Sequence, residues 1–505
     1  MTSLQHFKQT KCIKWAVIAS ALVLAWVNRF VQDDAFISFR YAQNFADGHG
    51  LVYNIGERIE GYTNFLWTVC MSLAFVLNID VVVWSYVISL LAFAVTLSVS
   101  AKLAHAMWDN ERASLVVIVL LATNYSFSCY ATGGLETQFG IMWIVLAVWF
   151  IHSQKYRVAA IASACALMTR MDASLLLLPF WCGVIWATTR HPKSKNHLIS
   201  AFVLGAIPVG LWILWRGYYY CAWLPNTFLI KGDGLNLLRG IYYASFFYVV
   251  YALWLVIPLC GTKWRLFIRQ PTGLCMVISA MAWTCYVAAV GGDFMEFRLM
   301  MPTLPFVMIF TAGIIMETIR SESKARQIAG LGMLATLISI SLFHGMMKWR
   351  YPCMSSIAEL KGQHREWRML ADEFKSIFGD TPDMKIGITC AGIIPFYTRT
   401  PTLDLLGLND RDVARTGDMI EPLKWVGNRP GHIRMATWDT TLGKGVNLLI
   451  NNPWVVDKQN HVLTWDAQKI TSHWLFGEGA NPERVYASGV RFPPSAPPPR
   501  LSLGR

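Results

Sequence analysis

Apolar runs long enough to cross a bilayer return again and again through the first 346 residues of the chain, and no water-soluble core accommodates such a pattern. Runs of roughly 15–21 residues, near the length that crosses a ~30 Å hydrocarbon layer, occur at about 13–30, 81–101, 113–130, 134–152, 157–171, 174–189, 198–215, 240–260, 273–290, 299–317 and 327–346. They read as about eleven spans. A further run at about 62–78 is ambiguous, because counting it as a crossing inverts the sidedness of every later loop. Charge decides between the two. With 62–78 lying in the interface, one side collects Lys102 and Arg112, Lys155 and Arg157, Arg190, Lys193 and Lys195, Lys263, Arg265 and Arg269, and Arg320, Lys324 and Arg326. Together with Lys8, Lys11 and Lys14 at the N-terminus, these satisfy the positive-inside rule throughout. No small-residue cleavage site follows the first run, so it reads as a retained span.

The formal charge of +13 is thus spread over loops between spans and does not form the single basic face that nucleic acid would need. Most of the eleven cysteines lie inside apolar runs without C-x-x-C spacing, which signals neither a zinc site nor a disulfide framework. Cys353 and Cys390, in the C-terminal segment, are read either as a bridge or as two free thiols. The opposite, outer side receives Asp33, Glu136, Asp172, Lys231, Asp293 and everything from about residue 347. That compartment lacks nucleotide sugars and ATP, so an enzyme working there needs a donor already flipped across the membrane. A polyprenyl-phosphate sugar is one. Ionisable groups at membrane depth cost roughly 2.5–3.5 kcal/mol each on insertion scales, so several at span ends point to a polar cavity.

The first outer segment, DDAFISFRYA, begins with Asp33 and Asp34 and continues with apolar residues at helical spacing. Adjacent carboxylates repel, which suits one of them to a general base; Asp33 as a helix cap is the alternative. GLVYNIGERIEGYTNFLW (50–67) adds Arg58, Glu60 and Tyr62 to the same loop. Arg58 is a candidate phosphate ligand, and Glu60 and Tyr62 are candidate substrate-binding groups. GGLET places Glu136 at the mouth of a span, as a second carboxylate or as a dipole partner, and TRMDAS offers Asp172 with Arg170 as its ion-pair partner. The aromatic stretch RGYYYCAWLPNTFLIKGDG contributes Asn226 as a substrate-binding candidate and Lys231 as a phosphate ligand. GGDFMEFRLMMPTLP supplies Asp293, Glu296 and Arg298. Arg298 is the preferred phosphate clamp, since its planar fork matches phosphate oxygens, with an ion pair to Asp293 or Glu296 as the alternative.

Taken in order, DDAFISFRYAQNFADGHGLVYNIGERIEGYTN, GGLET, YYYCAWLPNTFLIK, GGDFMEFRLMMP and DLLGLNDRDVAR resemble the GT-C superfamily of membrane glycosyltransferases over roughly residues 15–415. The resemblance is closest to the branch of terminal arabinofuranosyltransferases that add β-linked arabinose to mycobacterial cell-wall arabinan. It implies an inverting displacement with the first-loop aspartate as base, a role that falls on Asp33 with Asp34 as its rival. It also implies a polyprenyl-phosphate sugar donor, an extracytoplasmic glycan, glycolipid or glycoprotein acceptor, a bacterial inner-membrane location, and neither metal nor cofactor. A transporter or lipid-linked sugar flippase is the competing class, but the two halves show no repeat of the kind it predicts.

The expected fold is mainly α, a polytopic transmembrane helix bundle over 1–346 with interfacial helices in the first outer loop (31–80). A soluble, extracytoplasmic mixed α/β domain follows at 347–490, opened by an amphipathic helix at 364–378. Trp425, Trp438, Trp454 and Trp465 there are either glycan-stacking platforms or core residues, and 491–505 is a proline-rich tail.

Overall fold

The computed structural model describes residues 2–189, 195–231, 236–261, 263–347, 354–378, 385–420, 430–446 and 448–450. Its first half runs through α1 (Thr2–Val27), α2 (Asp33–Ala46), α3 (Phe65–Val76), α4 (Val81–Trp108), α5 (Glu111–Thr123), α6 (Tyr125–Cys129), α7 (Thr137–His152), α8 (Tyr156–Thr169), α9 (Ser174–Thr189) and α10 (Lys195–Tyr220). The bundle continues with α11 (Asn226–Lys231), α12 (Leu237–Val250), α13 (Ile257–Cys260), α14 (Trp264–Ile268), α15 (Pro271–Ala289), α16 (Leu304–Ile319) and α17 (Lys324–Phe343). Among the described residues six helices are long and apolar enough to cross a membrane, or seven when the pair bent by 62° between α12 and α13 counts as one span. Four shorter apolar helices, Cys12–Val27, Phe65–Val76, Thr137–His152 and Tyr156–Thr169, accompany them. The protein is a multi-pass membrane protein, and α10 shows why: Ile199, Phe202, Ile207, Leu211 and Leu214 are all more than half exposed, a face suited to hydrocarbon.

Two of the expected continuous spans are broken. The run at 113–130 stops at Asn124, whose side chain leaves the ladder of α5 and accepts from Phe127 N at 3.0 Å to start α6. The run at 240–260 turns at Ala252, which adopts a left-handed backbone.

The segment read as interfacial is α3, whose 12 residues reach only about 18 Å. Contacts at the two ends of α4 agree with an uncrossed α3. Lys14 of α1 meets Glu111 at 2.6 Å, beyond the far end of α4, whereas Asp80 caps its near end by accepting from Val83 N at 3.0 Å. The 28 residues between them span about 42 Å, so the basic end of α1 and the loop after α3 lie at opposite ends of α4.

The C-terminal segment begins with α18 (Ile357–Phe378) and builds a parallel sheet from β1 (Ile386–Ile388), β2 (Thr402–Asp404) and β5 (Leu448–Ile450), ordered β2-β1-β5. Between the first two strands lies α19 (Ile393–Thr398). The other elements are α20 (Arg411–Thr416), α21 (Trp438–Gly443) and an antiparallel pair of β3 (Asp418–Met419) and β4 (Arg434–Met435). Cys353, Trp425, Trp454, Trp465, the side chain of Trp438 and the tail 491–505 lie outside the described residues.

Two buried polar hubs lock this segment onto the bundle. The Glu296 carboxylate accepts from Ser126 Oγ at 2.8 Å, from His344 Nε2 at 2.9 Å and from Ile357 N at 2.9 Å. The Arg40 guanidinium, 6% exposed, donates to Tyr53 O, Pro395 O, Thr400 O and Asn54 Oδ1 at 2.7–3.1 Å. Each buried acceptor left without its donor costs on the order of 1–3 kcal/mol. Arg40→Met, which keeps much of the volume, is therefore expected to destabilise the protein by about 3 kcal/mol or more. Its thermal midpoint in detergent should fall, and limited proteolysis should cut first within 385–420.

Candidate functional site

Asp33, Glu136, Asp172 and the Asp293–Arg298 pair lie around the first loop, the mouths of α7, α9 and α16, and the carboxyl end of the small sheet. Asp33 is the first helical residue of α2; Gln32, whose side chain accepts from Asp34 N, is the cap in its place. Freed from capping, Asp33 Oδ1 accepts from Ile393 N at 2.7 Å, at the turn that follows β1. Crevices at the carboxyl ends of parallel strands are a common place for sites. Burial, reinforced by Asp34 and Asp404, pushes the Asp33 carboxyl up to about 7 against the lowering pull of the Ile393 and Gly392 N–H groups. Asp404, at the end of β2, accepts from Leu406 N and Asn409 N, both at 3.0 Å, and burial lifts it to about 6.

Glu136 sits at the start of α7 and is almost fully buried. Asn64 Nδ2 donates to it at 2.9 Å and Arg170 Nη1 at 2.9 Å, and these partners hold it below the usual carboxylate range in spite of its burial. Arg170 then grips Asp172 with Nε at 3.0 Å and Nη2 at 2.5 Å. Its donors are thus committed to carboxylates.

Arg298 differs. Its Nε donates to Asp293 Oδ2 at 2.7 Å, whereas its two terminal nitrogens bond to nothing among the described residues. Asp293 in turn accepts from Phe294 N at 2.7 Å, so it aims the arginine. Arg298 and Arg170 stand at the polar edge of a cleft lined by Ile141, Ile144, Ala166, Trp283 and Leu299. Asp34 and Glu136 are within electrostatic reach of Arg298, which joins this cleft to the acidic start of α2. The arrangement sets a guanidinium with two unbonded terminal nitrogens at the edge of a small apolar cleft, which suits it to an anionic group.

The remaining candidates take other places. Glu60 Oε2 faces Arg216 Nε at 2.7 Å as an ion pair without hydrogen-bond alignment, and burial lifts the Glu60 carboxyl to about 7. Tyr62 is buried, its hydroxyl 3.1 Å from that of Tyr220. The Asn226 amide donates to the carbonyls of Gly407, Leu408 and Asp410 at 2.6–3.2 Å, which ties α11 to the C-terminal segment. Arg58 is exposed over the Tyr219 ring, 4.9 Å from its centroid, and makes no contact with the Arg298 group. Lys231 ends α11, and its side chain lies outside the described residues. The roles of Ile393, Gly392, Asp404 and Cys390 around Asp33 carried no local signal, because they lie about 360 residues downstream.

The raised Asp33 has a thermodynamic consequence. The folded state holds its proton more tightly than the unfolded chain, so its contribution is most favourable below pH 4 and is lost as pH rises towards 7. Asp33→Asn should therefore be increasingly stabilising between pH 5 and pH 8, by up to roughly 4 kcal/mol. Thermal midpoints of the two proteins across that range check it; a constant difference would contradict it.

A family described as Domain of unknown function (DUF8728) matches residues 358–479. The terminal beta-(1->2)-arabinofuranosyltransferase of Corynebacterium glutamicum is 26% identical over 324 residues, 55% of this chain and 46% of the relative. Its namesake from Mycobacterium tuberculosis is 24% identical over 355 residues, 60% of this chain and 55% of the relative. The chain thus spans about half the length of the curated relatives it matches. Among solved structures, ArnT from Cupriavidus metallidurans bound to undecaprenyl phosphate superposes with a TM-score of 0.55 at 13% identity, over 78% of this chain and 85% of that one. Its apo state matches equally well, at 0.55 over 77% and 84%. The chain shares the fold of ArnT over most of its length.

Proposed function

We propose that this protein is an inverting glycosyltransferase that moves a sugar from a polyprenyl-phosphate donor to a hydroxyl of an extracytoplasmic glycan, glycolipid or glycoprotein. The observation that carries the reading is Arg298, its terminal nitrogens unbonded at the edge of an apolar cleft and within electrostatic reach of Asp34, the neighbour of a buried aspartate poised near neutrality. Arg298 takes the phosphate, and the prenyl chain lies along the apolar residues beside it. Asp33 removes the acceptor proton as that oxygen attacks the anomeric carbon; the bond from that carbon to the phosphate oxygen breaks, and one displacement inverts the centre. Asp34 is the rival for this role. Glu136, clamped by Asn64 and Arg170, stays ionised and orients sugar hydroxyls. No cofactor is needed, since the leaving phosphate departs as a stabilised anion beside a guanidinium. The names of the two relatives support arabinofuranose as the sugar, and the undecaprenyl phosphate bound to ArnT supports a lipid-phosphate donor. Positive charge on the opposite loops supports an outer-facing site.

The test is transfer by purified protein in nanodiscs given synthetic polyprenyl-phosphate arabinofuranose and an oligo-arabinan acceptor. Wild type should form product with a rate that falls as pH drops below about 7. Asp33→Asn should lose about 10²-fold or more in kcat. Arg298→Ala should raise the donor KM far more than the acceptor KM, and Arg298→Lys should restore it only in part. Movement of the lipid-linked sugar across vesicles without product would instead favour a flippase.

A further inference from the structure

The turn that follows β1 and the first residue of α2 approach so closely that only glycine fits between them. A Cβ on Gly392 would lie 2.0 Å from the Asp33 carbonyl oxygen and 2.5 Å from its Oδ1. The next residue donates its N–H to that same Oδ1 at 2.7 Å. The first loop secures the turn in return: Tyr53 Oη donates to Ala391 O at 2.6 Å, and Arg40 Nη1 donates to Pro395 O at 2.9 Å. A backbone donor brought in from the C-terminal segment is thus aimed at one oxygen of a buried carboxylate, and the side chains that hold the turn there are themselves buried.

We infer that the Ala391–Ile393 turn is a positioning element for the transfer reaction: the C-terminal segment closes the reaction site and sets the orientation of Asp33. This rests on the reading of Asp33 as the base. An acceptor-binding module alone would require no such contact. An acid at the start of a helix would otherwise be free to turn towards the N-terminal N–H groups of α2, away from any substrate. Here one oxygen is pinned and the carboxyl plane fixed, the condition for a base that must meet a hydroxyl within about 3 Å. The titratable groups facing Asp33 are Asp34 from its own helix, Tyr53 from the first loop, and Cys390 and Asp404 from the C-terminal segment. None of the last three supplies a cation to the carboxylate, which leaves the turn's N–H groups as its partners.

The experiment compares wild type with Gly392→Ala, Tyr53→Phe and Gly443→Ala in the transfer assay, and follows alkylation of Cys390 by peptide mass spectrometry. Gly443 has open space around its Cβ position and serves as the control. Gly392→Ala should lower kcat about 10²-fold with the donor KM within about twofold of wild type. Losing the N–H bond destabilises the Asp33 carboxylate, so the acid limb of the rate profile should move up by roughly one pH unit. Cys390, half-buried beside the turn, should alkylate faster when the turn is lifted. Tyr53→Phe adds no bulk and should move the limb the same way by a smaller amount, which keeps the test decisive if Gly392→Ala folds poorly. Gly443→Ala should match wild type in every reading. A wild-type protein that makes product, alongside Gly392→Ala and Tyr53→Phe variants with an unmoved acid limb, would overturn the inference while leaving the functional reading intact. A wild-type protein that makes no product would defeat the functional reading, and this role with it.

Discussion

A charge at the rim of a bilayer must be answered from within the protein, and here the answer is the ladder from Asn64 through Glu136 and Arg170 to Asp172. Placing such groups at membrane depth costs on the order of 2.5–3.5 kcal/mol each, and each is matched to a partner of opposite charge or to an amide. Removing one partner strands the others, so the ladder ties the first loop, α7, α8 and α9 into one wall. Arg298 stands apart from that economy. It lines the cleft with its Nε held by Asp293 and its terminal nitrogens unbonded among the described residues, as suits a cation kept for a ligand.

The second constraint is the joint between the bundle and the C-terminal segment. Arg40 and Glu296 each gather bonds from distant parts of the chain, and both lie beside residues of the candidate site. The segment is therefore seated by buried polar contacts that tolerate little sliding. This is how a parallel sheet whose strands are only three residues long can present its carboxyl end to Asp33.

The bundle was legible from the chain because hydrophobic length and loop charge are strong, additive signals. Residues 62–78 are the clearest case: loop charge reads them as uncrossed, and the helix they hold, α3, is only 12 residues long. Local reading was weaker inside the runs. Asn124 and Ala252 break two of them through cap and backbone chemistry that averaged hydropathy cannot register. Within the site, the Arg170–Asp172 and Arg298–Asp293 pairs are readable from spacing, whereas Arg58 and Glu60 lie apart from them. The bonds of Asn226 and Tyr62 are not readable in this way, because their partners are backbone carbonyls and a tyrosine far along the chain. Nor could the sequence show that Gln32 takes over the cap and frees Asp33 for Ile393.

The central claim is that the acidic start of α2, the Arg298 cleft and the C-terminal turn share one chamber on the face opposite the basic loops. Cysteines placed singly at Glu57, Arg399 and Arg112, labelled with a membrane-impermeant maleimide in right-side-out and inverted vesicles, test it most directly. The account predicts that the first two label from outside and the third only in inverted vesicles; labelling of Glu57 and Arg112 positions from the same side would contradict it.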